Sequence, residues 1–212
     1  MVHVADPSFY RAVRERLARC DAVMLEGVPS SSAGALTLTY SLLGYFRRGG
    51  LVNQSDESLL REFRGEVLHC DVAGEQFDRS WKALPLHLRA AVALLVPVVA
   101  LRRLLRPSRA DLARGLETDD LTSRSEILRR DDIDAMDDVL LTQRDRHLIR
   151  RIADHVQRHH HQRARVAIVY GASHMRAVAR YLLHNLGYRI AAAEWLTVLD
   201  LIDPETDQPA SR

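Results

Sequence analysis

The amino-acid sequence predicts an α/β fold with a central mixed or mostly parallel sheet flanked by helices. Short runs of mostly apolar residues at 22–25 and 165–170 are typical of strands that are buried on both faces. Stretches with helical periodicity alternate with these runs, as they do in β-α-β units. At 212 residues the chain is long enough for one large domain. We therefore expect a single α/β domain over residues 1–202 and a flexible polar tail over 203–212.

The first half of the chain carries the signals of a β-α-β unit. Asp6 and Pro7 stand where a helix N-cap and first turn are expected, and apolar residues follow at helical spacing until about Cys20. The run at 22–25 then predicts a buried strand that ends at Glu26. The elements expected next are a loop over 29–34, a helix over 36–46 and a second buried strand over 67–72.

The middle of the chain, about 85–161, is almost wholly helical in pattern, with Pro97 and Pro107 as kinks or breaks. We interpret this stretch as a helical insertion in the domain. The last quarter returns to an α/β pattern. The elements expected there are a strand over 165–170, a tight turn over 171–174, a helix over 175–186 capped by Gly187, and a final strand over 188–198.

Composition narrows the range of functions. The net charge is +2 and Lys82 is the only lysine, which does not suit a nucleic-acid surface, so we expect no nucleic-acid partner. Two cysteines without CxxC spacing indicate a reducing compartment, and the amino terminus lacks the pattern of a secretory signal. These features predict a cytoplasmic protein.

The longest apolar segment, 90–101, has two interpretations. Arginines at 102, 103 and 106 follow it, which would suit an interfacial helix on an anionic membrane and hence a membrane-surface adaptor. Pro97 would bend such a helix, and the segment is shorter than the roughly 20 residues that a spanning helix needs. We therefore favour a contact inside the domain or between the subunits of a homodimer.

Three polar residues at the ends of predicted segments form the candidate site. The turn at 171–174 follows a strand and presents His174 at the carboxyl end of the sheet, where open α/β sheets build their sites. Glu26 directly follows a buried strand, and a buried carboxylate is costly unless it is paired or bound to a metal. His3 precedes the first helix in the same strand-to-helix position. Two imidazoles and one carboxylate are a ligand set for Zn²⁺, Mn²⁺ or Co²⁺.

Each of these residues also has an ordinary structural interpretation. His174 could cap or pack at a helix start, Glu26 could pair with an arginine, and His3 could have no ordered role. The coincidence of three similar placements favours a shared site. The histidines at 155, 159, 160 and 161 stand beside several arginines, and we interpret them as an exposed basic helix end rather than as a metal site.

Four short motifs occur in order along nearly the whole chain: HVAD at 3–6, LEG at 25–27, QRD at 143–145 and GASH at 171–174. In this order and spacing they resemble the TraB family of the TraB, GumN and TIKI group. Members of the group are regarded as metal-dependent hydrolases, including peptidases, or as pheromone-shutdown proteins, on an α/β fold related to the erythromycin esterase and ChaN proteins. The resemblance implies a hydrolase with a divalent metal (Mn, Co or Zn) and a peptide or small carbonyl substrate.

The resemblance also assigns roles to individual residues. His3 and His174 would be the metal-binding histidines, Glu26 the acidic residue of the site, Arg144 a cation that points into it, and Gln54 a further polar residue. The family's first motif has a glycine three positions before its histidine, whereas this sequence has only two residues there. We therefore expect either a start further upstream or the loss of the family's first strand.

A mechanism follows from these roles. A divalent ion with an open coordination position lowers the pKa of bound water, which can then attack a carbonyl. Glu26 would be a ligand or the general base, and Arg144 would stabilise the developing oxyanion. From the sequence alone, Arg144 could equally form an ion pair with Asp145 or Asp138 along its helix. The alternative function is a non-catalytic protein that sequesters a peptide or haem on the same scaffold.

Overall fold

A computed structural model describes most of the chain. The described residues are 4–28, 50–54, 56–105, 130–161 and 163–201. His3, the expected loop at 29–34, the expected helix at 36–46 and the expected tail at 203–212 lie outside them.

The predicted α/β fold is confirmed by a parallel sheet with flanking helices. Strand β2 (Ala22–Leu25) lies in the middle of this sheet, between β4 (Glu66–His69) and β5 (Val166–Val169). Both neighbours run parallel to β2, with Leu25 opposite His69 on one side and opposite Val169 on the other. The carboxyl ends of the three strands therefore meet at one edge of the sheet.

A second, antiparallel pair of short strands lies elsewhere in the fold. It joins β1 (Val4–Ala5) to β3 (Val52–Asn53). Neither strand was expected, because two residues are too few to show a strand pattern in a sequence.

All the other described elements are helices. In the middle of the chain a helix already begins at Gly74, before the predicted start of the helical stretch at about residue 85. Pro97 lies inside a helix without ending it. The helices are α1 (Pro7–Leu17), α2 (Asp56–Leu60), α3 (Gly74–Ala83), α4 (Leu86–Leu105), α5 (Arg130–Asp137), a π-helical segment (Asp138–Thr142), α6 (Gln143–His159) and α7 (Ala172–His184).

Side chains of β2 alternate between two apolar clusters, one on each face of the sheet. Val23 and Leu25 pack with Phe9 and Leu17 of α1, whereas Met24 joins a second cluster on the other face. The other buried members of that second cluster are Cys70, Leu148, Ile152, Tyr170 and Val178. Burial of β2 on both faces explains its unbroken apolar sequence. It also holds the following residue, Glu26, at a well-ordered edge.

Three expected elements differ from the structure. Strand β4 ends at His69 and does not reach residue 72, and α7 begins at Ala172, so His174 lies in a helical turn rather than in a tight turn. The expected strand at 188–198 is wrong, because the chain is irregular there. A strand needs a neighbour for its ladder, whereas this segment makes two isolated backbone bonds to the described residues, from the Tyr188 N–H to the Leu182 carbonyl and from the Asp6 N–H to the Val198 carbonyl.

The apolar segment at 90–101 forms part of α4. The prediction that this segment is buried inside the domain is wrong for four of its residues, because Leu94, Leu95, Val98 and Leu101 are exposed. Among the described residues, no single helix is both long and apolar enough to span a membrane. Helix α3 and residues 86–98 meet that requirement only as a pair, and the pair is bent by 112°.

Candidate functional site

The first turns of two helices meet the carboxyl edge of the parallel sheet. Glu26 follows β2 directly, and its backbone N–H donates to the Val169 carbonyl at 3.2 Å. His174 lies in the first turn of α7, while Arg144 and Asp145 lie in the first turn of α6. Side chains from three separate parts of the chain therefore converge at this edge.

Asp71, just beyond β4, is the main partner of Arg144. The guanidinium donates through Nε to Asp71 Oδ1 at 2.9 Å and through Nη2 to Oδ2 at 2.6 Å. The same carboxylate accepts the backbone N–H groups of Gly27 and Val72 at 3.2 and 2.9 Å. Its side chain is only 1% exposed, so these four hydrogen bonds offset the cost of burying the charge.

Glu26 shares the same guanidinium. Arg144 Nη2 donates to Glu26 Oε1 at 2.7 Å, and the Gly171 N–H donates to Oε2 at 2.6 Å. Burial by itself would raise the pKa of the Glu26 carboxyl, but hydrogen bonding from His174 and the charge of Arg144 outweigh it and hold the pKa below its ordinary value. Glu26 is therefore an anion at neutral pH.

His174 is held at one ring nitrogen and faces Glu26 with the other. Nδ1 lies 2.6 Å from Asp145 Oδ1, and Nε2 lies 3.6 Å from Glu26 Oε1. The imidazole is 2% exposed and meets the Tyr170 ring edge-on at 5.6 Å. Burial lowers the pKa of His174, but the hydrogen bonds to Glu26 and Asp145 outweigh this and raise it overall. With a carboxylate accepting from Nδ1–H, Nε2 is the nitrogen left for a proton or a metal.

The π-helical segment immediately before α6 contributes to the position of Arg144. Within it, the Leu140 carbonyl accepts a hydrogen bond from Arg144 Nη1 at 3.3 Å. A π turn inserts one residue into a helix and thereby rotates the residues that follow, which is why such turns are frequent at functional sites. No pattern in the sequence predicted this segment.

The structure brings together three of the residues that the sequence singled out, namely Glu26, Arg144 and His174. The alternative interpretation of Arg144, an ion pair with Asp145 or Asp138 along its helix, is wrong, because Asp71 and Glu26 contact the guanidinium instead. We refer to the residues Glu26, Asp71, Arg144, Asp145 and His174 as the carboxyl-edge cluster.

Gln54 and His3, the other two predicted site residues, are not part of the carboxyl-edge cluster as the structure describes it. His3 lies outside the described residues. Gln54 follows β3, and its side-chain oxygen is buried with no hydrogen-bond partner within the described parts of the chain. Its backbone is hydrogen-bonded to Tyr10, and no contact between its side chain and the carboxyl-edge cluster is seen among the described residues.

Asp71 was missed as a partner of Arg144 because the expected strand ran past it to residue 72. The signal that could have found it is the one that found Glu26. Both are carboxylates placed just beyond a strand that runs parallel to its neighbour, and such residues meet at the same edge of the sheet.

Two atoms of the carboxyl-edge cluster are spaced like two ligands of one divalent cation, although Glu26 Oε1 also accepts from Arg144. Two ligands of one tetrahedral Zn²⁺ lie about 3.4 Å apart, close to the 3.6 Å between His174 Nε2 and Glu26 Oε1. The cluster holds three carboxylates and one guanidinium, which leaves two negative charges when His174 is neutral. The His174–Asp145 hydrogen bond is the carboxylate–histidine arrangement that orients many metal ligands.

No family model, no curated protein and no solved structure matches this chain. The chemistry of the carboxyl-edge cluster must therefore be argued from its own geometry.

Proposed function

We propose that this chain is a TraB-like metal-dependent hydrolase that acts on a peptide or another carbonyl compound at the carboxyl-edge cluster. The observation that carries the proposal is the approach of His174 Nε2 to Glu26 Oε1 while Asp145 holds the opposite ring nitrogen. His3 and His174 with Glu26 would hold Mn²⁺, Co²⁺ or Zn²⁺. When bound, such an ion supplies Lewis acidity and lowers the pKa of water toward neutrality.

Glu26 is suited to hold a cation or a proton at Oε1. Its other oxygen, Oε2, is occupied by the Gly171 N–H, which fixes the carboxylate in the plane that faces His174. The lowered pKa of Glu26 keeps the carboxylate charged, as a ligand must be. Its side chain retains 19% exposure, so a substrate can approach the cluster from the side of Glu26.

Arg144 is better suited to positioning Glu26 than to direct catalysis. A guanidinium has five N–H groups, and four of them are directed at Asp71, Glu26 and the Leu140 carbonyl. Only one N–H of Nη1 is left for a substrate oxygen, as far as the described residues go. We therefore assign Arg144 first to holding Glu26, and only through Nη1 to stabilising an oxyanion.

A cytoplasmic location is part of the proposal. Cys20 and Cys70 are both free thiols, and Cys70 is buried. Free thiols are usual where the surroundings are reducing.

The experiment follows peptide turnover and metal content together. Untagged protein is stripped of metal, supplied with Mn²⁺, Co²⁺ or Zn²⁺, and incubated with a peptide library whose products are read by mass spectrometry. We expect metal-dependent cleavage that His174→Ala and Glu26→Gln abolish, together with the loss of one equivalent of bound metal. His184→Ala, at an exposed position in the last turn of the same helix, is the matched control and should keep full activity.

Two results would contradict the hydrolase. Absence of cleavage with every metal, in protein that is folded and metal-loaded, would exclude turnover on these substrates. Stoichiometric retention of intact peptide, or of haem as shown by a Soret band, would favour the sequestering protein instead.

A further inference from the structure

The opposite end of α6 carries a second group of histidine and carboxylate side chains. His155 and His159 are four residues apart on α6 and therefore lie on one face of the helix. Glu66, the first residue of β4, lies beside them at the amino edge of the sheet. We refer to Glu66, His155 and His159 as the amino-edge cluster. The carboxyl-edge cluster lies at the other end of the same helix.

His155 does not belong to the exposed helix end that the sequence predicted. Its side chain is buried at 5% relative exposure, whereas the neighbouring His160 and His161 are exposed. Its Nδ1 is buried and has no hydrogen-bond partner within the described residues. Buried polar atoms are almost always satisfied, so this nitrogen indicates a ligand that is not part of the polypeptide.

His159 is oriented as a metal ligand usually is. Its Nδ1 lies 2.9 Å from the His155 backbone carbonyl, so Nδ1 carries the proton and Nε2 keeps its lone pair. A backbone carbonyl in this role fixes the tautomer and the ring angle of a ligating imidazole. The two rings lie 4.3 Å apart and are tilted by 31°, so their nitrogens are held near one another.

The donor atoms are close enough to share one ion. One ligand atom from each of Glu66, His155 and His159 lies within 4.8 Å of the other two. Ligands of a tetrahedral Zn²⁺ lie about 3.4 Å apart, so small rotations of the exposed Glu66 and the half-buried His159 bring the three into range.

The positive charge of Arg158 opposes a cation at His155, and the carboxylate of Glu66 favours it. Arg158 Nε donates to the Asp154 carbonyl, and Arg165 Nη1 donates to the Arg19 carbonyl, so both guanidinium groups are engaged with backbone oxygens. The carboxyl end of α6 adds the partial negative charge of the helix dipole.

We propose that Glu66, His155 and His159 form a zinc site that joins the last turns of α6 to the start of β4. Two imidazoles and one carboxylate suit Zn²⁺ and leave a fourth position for water. The site does not depend on the proposed hydrolase, because none of its ligands belongs to the carboxyl-edge cluster.

Isothermal titration of metal-stripped, untagged protein with Zn²⁺ tests this site. Loss of a partner of a metal ligand already weakens binding by about 10–100-fold, so loss of a ligand should weaken it by at least about 100-fold. We expect this result for His159→Ala and for Glu66→Gln. The matched control is the double variant His160→Ala/His161→Ala, which removes two exposed histidines of the same tract and should bind zinc as the wild type does.

A second control separates the two clusters. His174→Ala should retain the zinc that the amino-edge cluster binds, whether or not the carboxyl-edge cluster binds metal. The proposal is overturned if His159→Ala and Glu66→Gln bind zinc like the wild type, or if the double variant alone abolishes binding. Glu66 is exposed, so Glu66→Gln keeps the test valid if circular dichroism shows that His159→Ala does not fold.

Discussion

The two ends of α6 present the same residue types in opposite states. At the carboxyl-edge cluster, Arg144 and Asp71 neutralise one another, and both ring nitrogens of His174 face carboxylates. At the amino-edge cluster, a buried nitrogen of His155 has no partner among the described residues. The polar side chains of the carboxyl-edge cluster thus bond to one another, whereas the amino-edge cluster keeps a buried nitrogen without a partner among the described residues.

This difference bears on how each cluster would respond to a metal. A cation at the carboxyl-edge cluster must compete with a proton on His174 and with Arg144 for Glu26, so its binding should be selective and dependent on pH. A cation at the amino-edge cluster replaces no hydrogen bond of His155 Nδ1. A cation at the carboxyl-edge cluster therefore has to displace existing contacts, whereas one at the amino-edge cluster can bond to the unsatisfied nitrogen of His155.

The largest effect is expected from Asp71→Asn. The substitution removes one of the two carboxylate charges that contact the buried guanidinium of Arg144, and breaking a buried ion pair costs up to about 3–5 kcal/mol of unfolding free energy. Urea denaturation measures it. Asp137→Asn, at an exposed position, is the control and should change stability by less than about 0.5 kcal/mol. A loss below about 1 kcal/mol for Asp71→Asn would show that the carboxyl-edge cluster is not held by this pair.

Gly65→Ala should affect the amino-edge cluster, at the carboxyl end of α6, by lowering both stability and zinc binding. A Cβ at residue 65 would clash with the Asp21 carbonyl oxygen, so the start of β4 must shift. Overpacking of this kind typically costs about 1–3 kcal/mol, and the shift should also displace Glu66 and weaken zinc binding. Titration with Zn²⁺ and urea denaturation measure the two effects. Gly27→Ala is the control, because no atom of the described residues lies within 4 Å of a Cβ added there.

The strand β2 and the helices α1 and α6 could be predicted from the sequence, because buried strands and amphipathic helices have strong hydrophobic patterns. Glu26 and His174 could be found for a related reason, since Glu26 directly follows such a strand and His174 lies in the first turn of the helix that follows another. The pairing of Arg144 with Asp71 could not, because it joins residues 73 positions apart and depends on a π-helical segment without a sequence signature.

The amino-edge cluster was misread for a similar reason. In the sequence, His155 belongs to a histidine-rich and arginine-rich tract that looks solvated. Its burial depends on β4 and on the packing of α6 across the sheet, and it becomes visible only when Glu66 is placed beside it.

The pH dependence of the metal-free protein should be bell-shaped. The pKa of Glu26 lies below its ordinary value of 4.5, so its contribution to stability is present above that pH and is lost as the pH falls through the folded pKa. The pKa of His174 lies above its ordinary value of 6.5, so its contribution is present below that pH and is lost as the pH rises through the folded pKa. The cluster should therefore stabilise the fold most between pH 4.5 and 6.5.

Thermal melts across this range measure the effect. Glu26→Gln should flatten the acidic side of the curve, and Asp145→Asn should flatten the alkaline side, because it removes a hydrogen bond that raises the pKa of His174. Identical curves for wild type and both variants would contradict the ion-pair account of the cluster.

The smallest effect is expected from Tyr170→Phe. The Tyr170 hydroxyl is buried and has no hydrogen-bond partner in the described part of the chain, although its ring packs against His174. Removing an unsatisfied hydroxyl while keeping the ring should leave stability unchanged or raise it by up to about 1 kcal/mol. A decrease of more than about 1 kcal/mol in the free energy of unfolding, measured by urea denaturation, would show that the hydroxyl has a hydrogen-bond partner.

In the proposed hydrolase, His174 Nε2 and Glu26 hold a divalent ion at the carboxyl edge of the sheet. Histidine ¹⁵N resonances of the metal-stripped protein, followed while Zn²⁺ is added, test this binding because they report on each ring nitrogen separately. We expect that Nε2 of His174 changes to a metal-bound shift while Nδ1 stays hydrogen-bonded to Asp145, and that His184 does not respond. Zinc that saturates the protein while both nitrogens of His174 remain unchanged would contradict it.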